Sequence, residues 1–194
     1  MRRVVVTGMG MLAPFGRGVD YNWENIVAGK SAIRRIDEDL ELYDVPVKIA
    51  GKVPMGKEAH RFDPDTVMEP KEQRRVDKFI LFGMAAGIDA MEDSGWKPES
   101  EEEQYRAGVM MGSGIGGLQT IYENSVIINE NKSTHRVSPF FIPSCLINMI
   151  SGNLSIRFGL KGPNHACVTA CSTGTHAIGD AAAMIVRGDA DLML

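Results

Sequence analysis

Asn164-His165-Ala166-Cys167-Val168-Thr169-Ala170-Cys171-Ser172-Thr173-Gly174 is the stretch on which the fold turns. Asn164 to Ala170 is extended in character, and the small residues from Ser172 to Arg187 make a helical run. A strand feeding directly into a helix is the building step of a parallel-rich α/β sheet. The same step occurs upstream. There Ala107 to Met111 reads as a strand, Gly112-Ser113-Gly114-Ile115-Gly116-Gly117 as a turn, and Leu118, Ile121, Tyr122 and Ser125 as points on a helix. Downstream, Asp189 to Leu194 begins another strand. The expected class is therefore α/β, as one domain over residues 1–194, and 44% hydrophobic residues suffice for a core.

Further from the centre, Arg3 to Thr7 is a short β-branched run ended by glycines, which predicts a buried strand. Asp20 is placed to cap a helix on which Trp23, Ile26 and Val27 share a face, with Gly29 as its stop. Ser31 to Asp65 is polar and turn-rich, an excursion with short strands expected around Val45 to Ala50. From Pro70, a residue suited to a first helical position, Val76, Phe79, Ile80, Gly83, Met84, Gly87, Ile88 and Met91 repeat at helical spacing until Gly95. Glu99 to Glu103 reads as a solvated acidic turn and Asn129 to Arg136 as a polar loop. Pro143 is expected to open a helix with Leu146, Ile147, Ile150 and Leu154, closed by Gly159. Asp191-Leu192-Met193-Leu194 carries no polar tail, so the sheet is expected to be incomplete at this end and the chain truncated.

A formal charge of -4 argues against a general nucleic-acid binder, which carries a basic excess. No stretch approaches the roughly 20 apolar residues that span a bilayer, and the Met1-Arg2-Arg3 start lacks a cleavage signal. A cytoplasmic, reducing compartment is expected. Cys167 and Cys171 stand about 13 Å apart at strand rise, too far to bridge, and their spacing fits no common zinc or redox pattern. No metal and no cofactor are expected.

Two glycine patterns imitate nucleotide sites. Gly112-x-Gly114-x-x-Gly117 follows a strand and opens a helix, where backbone N–H groups favour phosphate. The dinucleotide motif also needs a second parallel strand and a later acid, and here the polar Asn131-Lys132-Ser133-Thr134-His135 follows instead. Gly8-x-Gly10-x-x-Ala13 is spoiled by Pro14 inside the helix it requires.

Cys171 is the candidate nucleophile. The strand delivers it to the first turn of the helix, where unpaired N–H groups and the helix dipole favour a thiolate, the form that attacks a carbonyl. Its small neighbours allow a substrate carbonyl to approach the Cys171 N–H, one half of an oxyanion hole. The plain alternative is a small core residue, since free cysteine is among the most buried types. Cys145 and Cys167 lack such a setting. No histidine is placed to assist: His176 points about 140° away on the helix, His165 lies too far back along the strand, and His60 and His135 fall in polar loops.

The segment Val168-Thr169-Ala170-Cys171-Ser172-Thr173-Gly174-Thr175-His176-Ala177-Ile178-Gly179-Asp180-Ala181 resembles the active-site segment of the β-ketoacyl-[acyl carrier protein] synthases. Val4-Val5-Val6-Thr7-Gly8-Met9-Gly10, Gly112 to Gly117, and Ser138-Pro139-Phe140-Phe141-Ile142-Pro143-Ser144 agree. The last, with Asn148-Met149, is more similar to the type II members of bacterial fatty-acid elongation than to type I. The resemblance covers the whole chain. It implies a thiolase-like, layered α-β-α-β-α fold of which this is the N-terminal half, its last strand missing. It also implies Cys171 as acyl acceptor, with acyl carrier protein, acyl and malonyl thioesters as partners, and a homodimer pairing through the Asn164–Ala170 strand. Two histidines of the absent half assist decarboxylation in the family, so this chain alone is expected to be inactive in condensation. Ile115 resembles the position lining the acyl pocket, and Phe141 the one that reaches across the dimer. Lys71, Arg74 and Arg75, at helical spacing and where the dipole disfavours cations, are expected to dock the acidic carrier, against a plain solvated face. A non-catalytic thiolase-like partner or chain-length subunit is the alternative role; such partners typically lack the cysteine.

Overall fold

The computed structural model describes residues 2–36 and 46–194. The chain divides into two compact units, Gly10–Asp63 and a larger one of Met1–Met9 with Pro64–Leu194.

In the smaller unit, strands β1 (Leu12–Ala13) and β2 (Gly16–Arg17) form an antiparallel hairpin, followed by helix α1 (Val19–Val27). Gly18, not Asp20, is the N-cap of α1, and Asp20 sits in its first turn. Trp23, Ile26 and Val27 are 63%, 51% and 67% exposed, while Asn22 and Asn25 are buried. The cause is local: the Asn22 amide donates to the Gly16 carbonyl of β2 and the Gly18 carbonyl at the N-cap, and the Asn25 amide to the Tyr21 carbonyl, so both buried amides have backbone partners. Strands β3 (Arg34–Arg35) and β4 (Ile49–Ala50) pair antiparallel, as the expected short strands; Val45 lies outside the described residues. His60 is an exposed turn residue, as expected, and also stacks on Tyr21 with ring centroids 3.9 Å apart.

The larger unit holds helices α2 (Pro70–Gln73), α3 (Lys78–Ser94) and α4 (Glu101–Arg106), strand β5 (Ala107–Gly112), helices α5 (Leu118–Asn131), α6 (Phe141–Cys145) and α7 (Met149–Phe158), strand β6 (Asn164–Cys167), helix α8 (Thr173–Arg187) and strand β7 (Leu192–Met193). β5 is central in a parallel sheet ordered β6-β5-β7, with Gly112 opposite Cys167 and Ala107 opposite Leu192. Helix α8 sets Ala177 and Ala181 against Met110, Cys167 and Met193. Helix α7 contributes Ser151, which is fully buried; its hydroxyl accepts from Met111 N and donates to the His165 carbonyl, tying β5 to β6. Helix α3 stacks on α7 through glycines: a Cβ on Gly83 would lie 2.7 Å from Ile150, and one on Gly87 2.7 Å from Leu154.

Several boundaries differ from expectation. The run from Pro70 to Gly95 is two helices, because Asp77 adopts an extended conformation, caps α3 through Phe79 N and gives its own N–H to the Ser144 carbonyl. Gly95 closes α3 at φ 63°, as expected. Glu99 to Glu103 is not a turn but the entry to α4: Ser100 Oγ accepts from Glu103 N while Glu103 accepts from Glu99 N, a variant of the capping box. Pro143 lies inside α6 and does not open α7; the two are separated at Leu146, whose backbone is extended. Helix α5 runs two residues past Asn129, and its Leu118 and Tyr122 are exposed.

Arg3 to Thr7 is not a strand, and Val5 and Val6 are 59% and 78% exposed. A strand needs a ladder, and among the described residues no strand pairs with this run. Single contacts hold it instead: Arg2 donates to the Ala190 carbonyl and pairs with Asp191, and Met9 N donates to Asp93.

Candidate active site

The sheet brings two loops to the carboxyl edge of neighbouring parallel strands, where α/β sheets place their ligands. One is Gly112–Gly117 after β5; the other is Val168–Ser172 after β6. A Cβ on Gly112 would collide with the Thr173 methyl and the Cys167 carbonyl, and one on Gly114 would stand 3.1 Å from the Ala170 carbonyl. The glycines of the failed nucleotide pattern therefore serve close approach between these loops.

Cys171 sits at the middle of a 3-10 turn, Ala170–Ser172, immediately before α8, and is exposed. That excludes the alternative of a buried core thiol. Ala170 has φ 51°, the left-handed region, which costs a residue with a Cβ about 1–3 kcal/mol. Ser172 N and Oγ both bond the Thr169 carbonyl, at 3.1 and 2.8 Å. Thr173 Oγ1 accepts from Thr169 N at 2.9 Å and donates to the Ala170 carbonyl at 2.7 Å. The chain is thus folded tightly around the one cysteine that faces outward; Cys167 is buried and Cys145 partly so.

The other site residues fall around this turn unevenly. Ile115 is 65% exposed, on the glycine loop between Gly114, which meets Ala170, and Gly116 and Gly117, which meet Cys145 of α6. Phe141 opens α6 and is half-buried. Lys71, Arg74 and Arg75 do not share one helix face, since α2 ends at Gln73 and Arg74 caps it. Arg75 bonds both oxygens of Glu72 and lies 4.6 Å over the Phe140 ring, next to Phe141. Among the described residues no hydrogen bond joins Cys171 to a histidine. His176 meets Thr169 Oγ1 at 3.2 Å and Asp180 at 3.0 Å.

Sequence reasoning missed two residues that build the site. Asp77 accepts from Thr120 N and Oγ1 as well as Phe79 N, and so joins the starts of α3 and α5 beside Gly117. Its signal was an acid just before an apolar helical run. Thr173 had no comparable signal, because its partners precede it across the turn. A cleft of about 340 Å³ lies in the smaller unit against Tyr21, His60 and Arg61, and another of about 520 Å³ beside Trp96, Arg106 and Asp191; Cys171 lines neither.

A parallel sheet carrying an exposed cysteine on a strained strand-to-helix turn, with helices layered over it, has the thiolase-like fold. The chain belongs to the β-ketoacyl synthase family, matching its N-terminal domain over residues 1–194. It is 51% identical over 195 residues to the 3-oxoacyl-[acyl-carrier-protein] synthase 2 of Rhizobium meliloti, covering 100% of this chain and 46% of that protein. The chain spans about half the length of the curated relatives it matches. A β-ketoacyl synthase crystal structure from Burkholderia phymatum superposes with a TM-score of 0.77 at 26% identity, over 98% of this chain and 45% of that one. A type II PKS ketosynthase in complex with its acyl-carrier protein superposes with a TM-score of 0.72 at 22% identity, over 96% of this chain and 48% of that one.

Proposed function

We propose that this chain is the acyl-accepting half of a condensing enzyme of fatty-acid elongation. The observation that carries it is the outward Cys171 on the Ala170 turn at the start of α8. The Cys171 sulfur attacks the thioester carbonyl of an acyl chain on acyl carrier protein, and the carrier thiol leaves. Malonyl-carrier then loses carbon dioxide, and its carbanion attacks the acyl-enzyme carbonyl; a new C–C bond forms, the C–S bond to Cys171 breaks, and 3-oxoacyl-carrier is released. The N–H of Cys171 supplies one oxyanion donor, and Ile115 and Phe141 line the acyl pocket.

Lys71, Arg74 and Arg75 dock the acidic carrier, Arg75 through its position beside Phe140. Among the described residues the outer edge of β6 is unpaired in the sheet, which favours its pairing with a second copy as a homodimer. No described helix is long and apolar enough to cross a membrane, and we place the enzyme in the cytoplasm. The family's decarboxylation histidines belong to the other half, so the 194 residues alone do not condense. The alternative of a non-catalytic partner is disfavoured by the presence of Cys171.

The test is acylation of the full-length protein by an acyl-carrier thioester, read by intact mass. The adduct is expected with the native sequence and absent in Cys171→Ala; an adduct in the alanine variant would overturn the proposal. Reversal of Lys71, Arg74 and Arg75 to glutamate is expected to raise KM for carrier-bound substrates, and an unchanged KM removes the docking role.

A further inference from the structure

We infer that Thr173 is a positioning residue for Cys171, its hydroxyl holding the left-handed turn that presents the thiol; the inference rests on the acyl-transfer role of Cys171. A threonine hydroxyl commonly bonds the carbonyl three or four residues before it. Here the Thr173 hydroxyl reaches back over Cys171 and closes on two backbone groups that precede it, the Thr169 N–H and the Ala170 carbonyl. Cys171 is enclosed by that pair of hydrogen bonds, so its backbone cannot rotate without breaking one of them.

The device is needed because of Ala170. At φ 51° an alanine is in a conformation that L-residues leave readily, and something nearby must over-determine it. Relaxation of Ala170 to negative φ would swing Cys171 and its N–H away from the helix start. Thr173 is 4% exposed, so its bonds work without competition from water. Its methyl group occupies the space a side chain on Gly112 would need, which fixes the turn to the glycine loop as well. The segment's other side-chain ties, Ser172 Oγ to the Thr169 carbonyl and Thr169 Oγ1 to the His176 ring, are both exposed and so weaker than the Thr173 pair.

The experiment is single-turnover acylation of the full-length protein by an acyl-carrier thioester. Thr173→Val keeps the shape and removes both hydrogen bonds; the acylation rate constant is expected to fall about 10- to 100-fold while KM for the carrier thioester moves less than about twofold. Thr173→Ser keeps the hydroxyl and should stay within about threefold of the native rate. Adding Ala170→Gly to Thr173→Val should recover at least about threefold, because glycine holds positive φ unaided. A native rate in Thr173→Val overturns the inference, as does a serine variant as slow as the valine one or no recovery with glycine. If the valine variant does not fold, Thr173→Ala with Ala170→Gly carries the test, and slow acylation in that pair counts against the brace. Cys171→Ala run in parallel separates the two levels: acylation without Cys171 sinks the acyl-transfer role itself, whereas an inert Cys171→Ala beside a fully active Thr173→Val sinks only the brace.

Discussion

Val4 to Thr7, followed by Gly8, and Ala107 to Gly112 are both short, largely apolar runs closed by glycine, yet only the second is a strand. Val109 at the middle of β5 is fully buried, whereas Val6 is 78% exposed. β5 has a parallel neighbour on each side, and its N–H groups find Pro163 and Leu194 carbonyls at 2.8 and 2.7 Å. The earlier run has one acid, Asp93, at its far end and an arginine, Arg2, at its near end. Composition marks where a strand is able to form; a partner decides whether it does.

The largest effect that separates the two runs is expected from Val109→Asp. A carboxylate there is fully enclosed, and the loss of stability should exceed about 4 kcal/mol, read by urea denaturation. Val6→Asp in the 194-residue chain should cost no more than about 0.5 kcal/mol, because the side chain already meets water. A loss at Val6 as large as that at Val109 would show that the first run is paired after all.

A smaller effect comes from the acid that clasps the entrances to both runs. Asp191 bonds Arg106, just before β5, through both its oxygens and also pairs with Arg2, just before Val4. The Arg106 guanidinium first, then that of Arg2, holds the Asp191 carboxyl well below the usual carboxylate range. The native state thus favours the ionised acid. Its contribution is full above the unfolded carboxylate value near 3.9 and is lost as pH falls below it. The gap in stability between the native sequence and Asp191→Asn should accordingly shrink as pH drops below about 4. All three side chains are partly in water, so the gap should be small and should narrow further in high salt. A gap that widens with acid would contradict this sign.

What could be read from the residues follows the same division. The β6–α8 junction was legible because an extended stretch from Asn164 gives way to the small-residue helical run after Ser172, and Gly95 and Gly159 marked helix ends that the structure keeps at positive φ. Helix α1 was legible as a helix but not in its orientation. Nothing in Asn22 announces that its amide will find the Gly16 and Gly18 carbonyls just before the helix and turn Trp23 outward. The cysteine itself could be chosen from its place at a helix start. The left-handed Ala170 and the Thr173 hydroxyl that spans it could not, since both arise from a turn whose path the local pattern leaves open.

The account depends most on Cys171 being the thiol the fold offers to substrate, and competition among the three free cysteines tests that directly. The native, full-length protein would be treated with limiting iodoacetamide at neutral pH and the labelled peptides quantified by mass spectrometry. Cys171, on its exposed turn, should be alkylated first, ahead of the half-buried Cys145, with the buried Cys167 last. Preferential labelling of Cys145 or Cys167 would contradict the account.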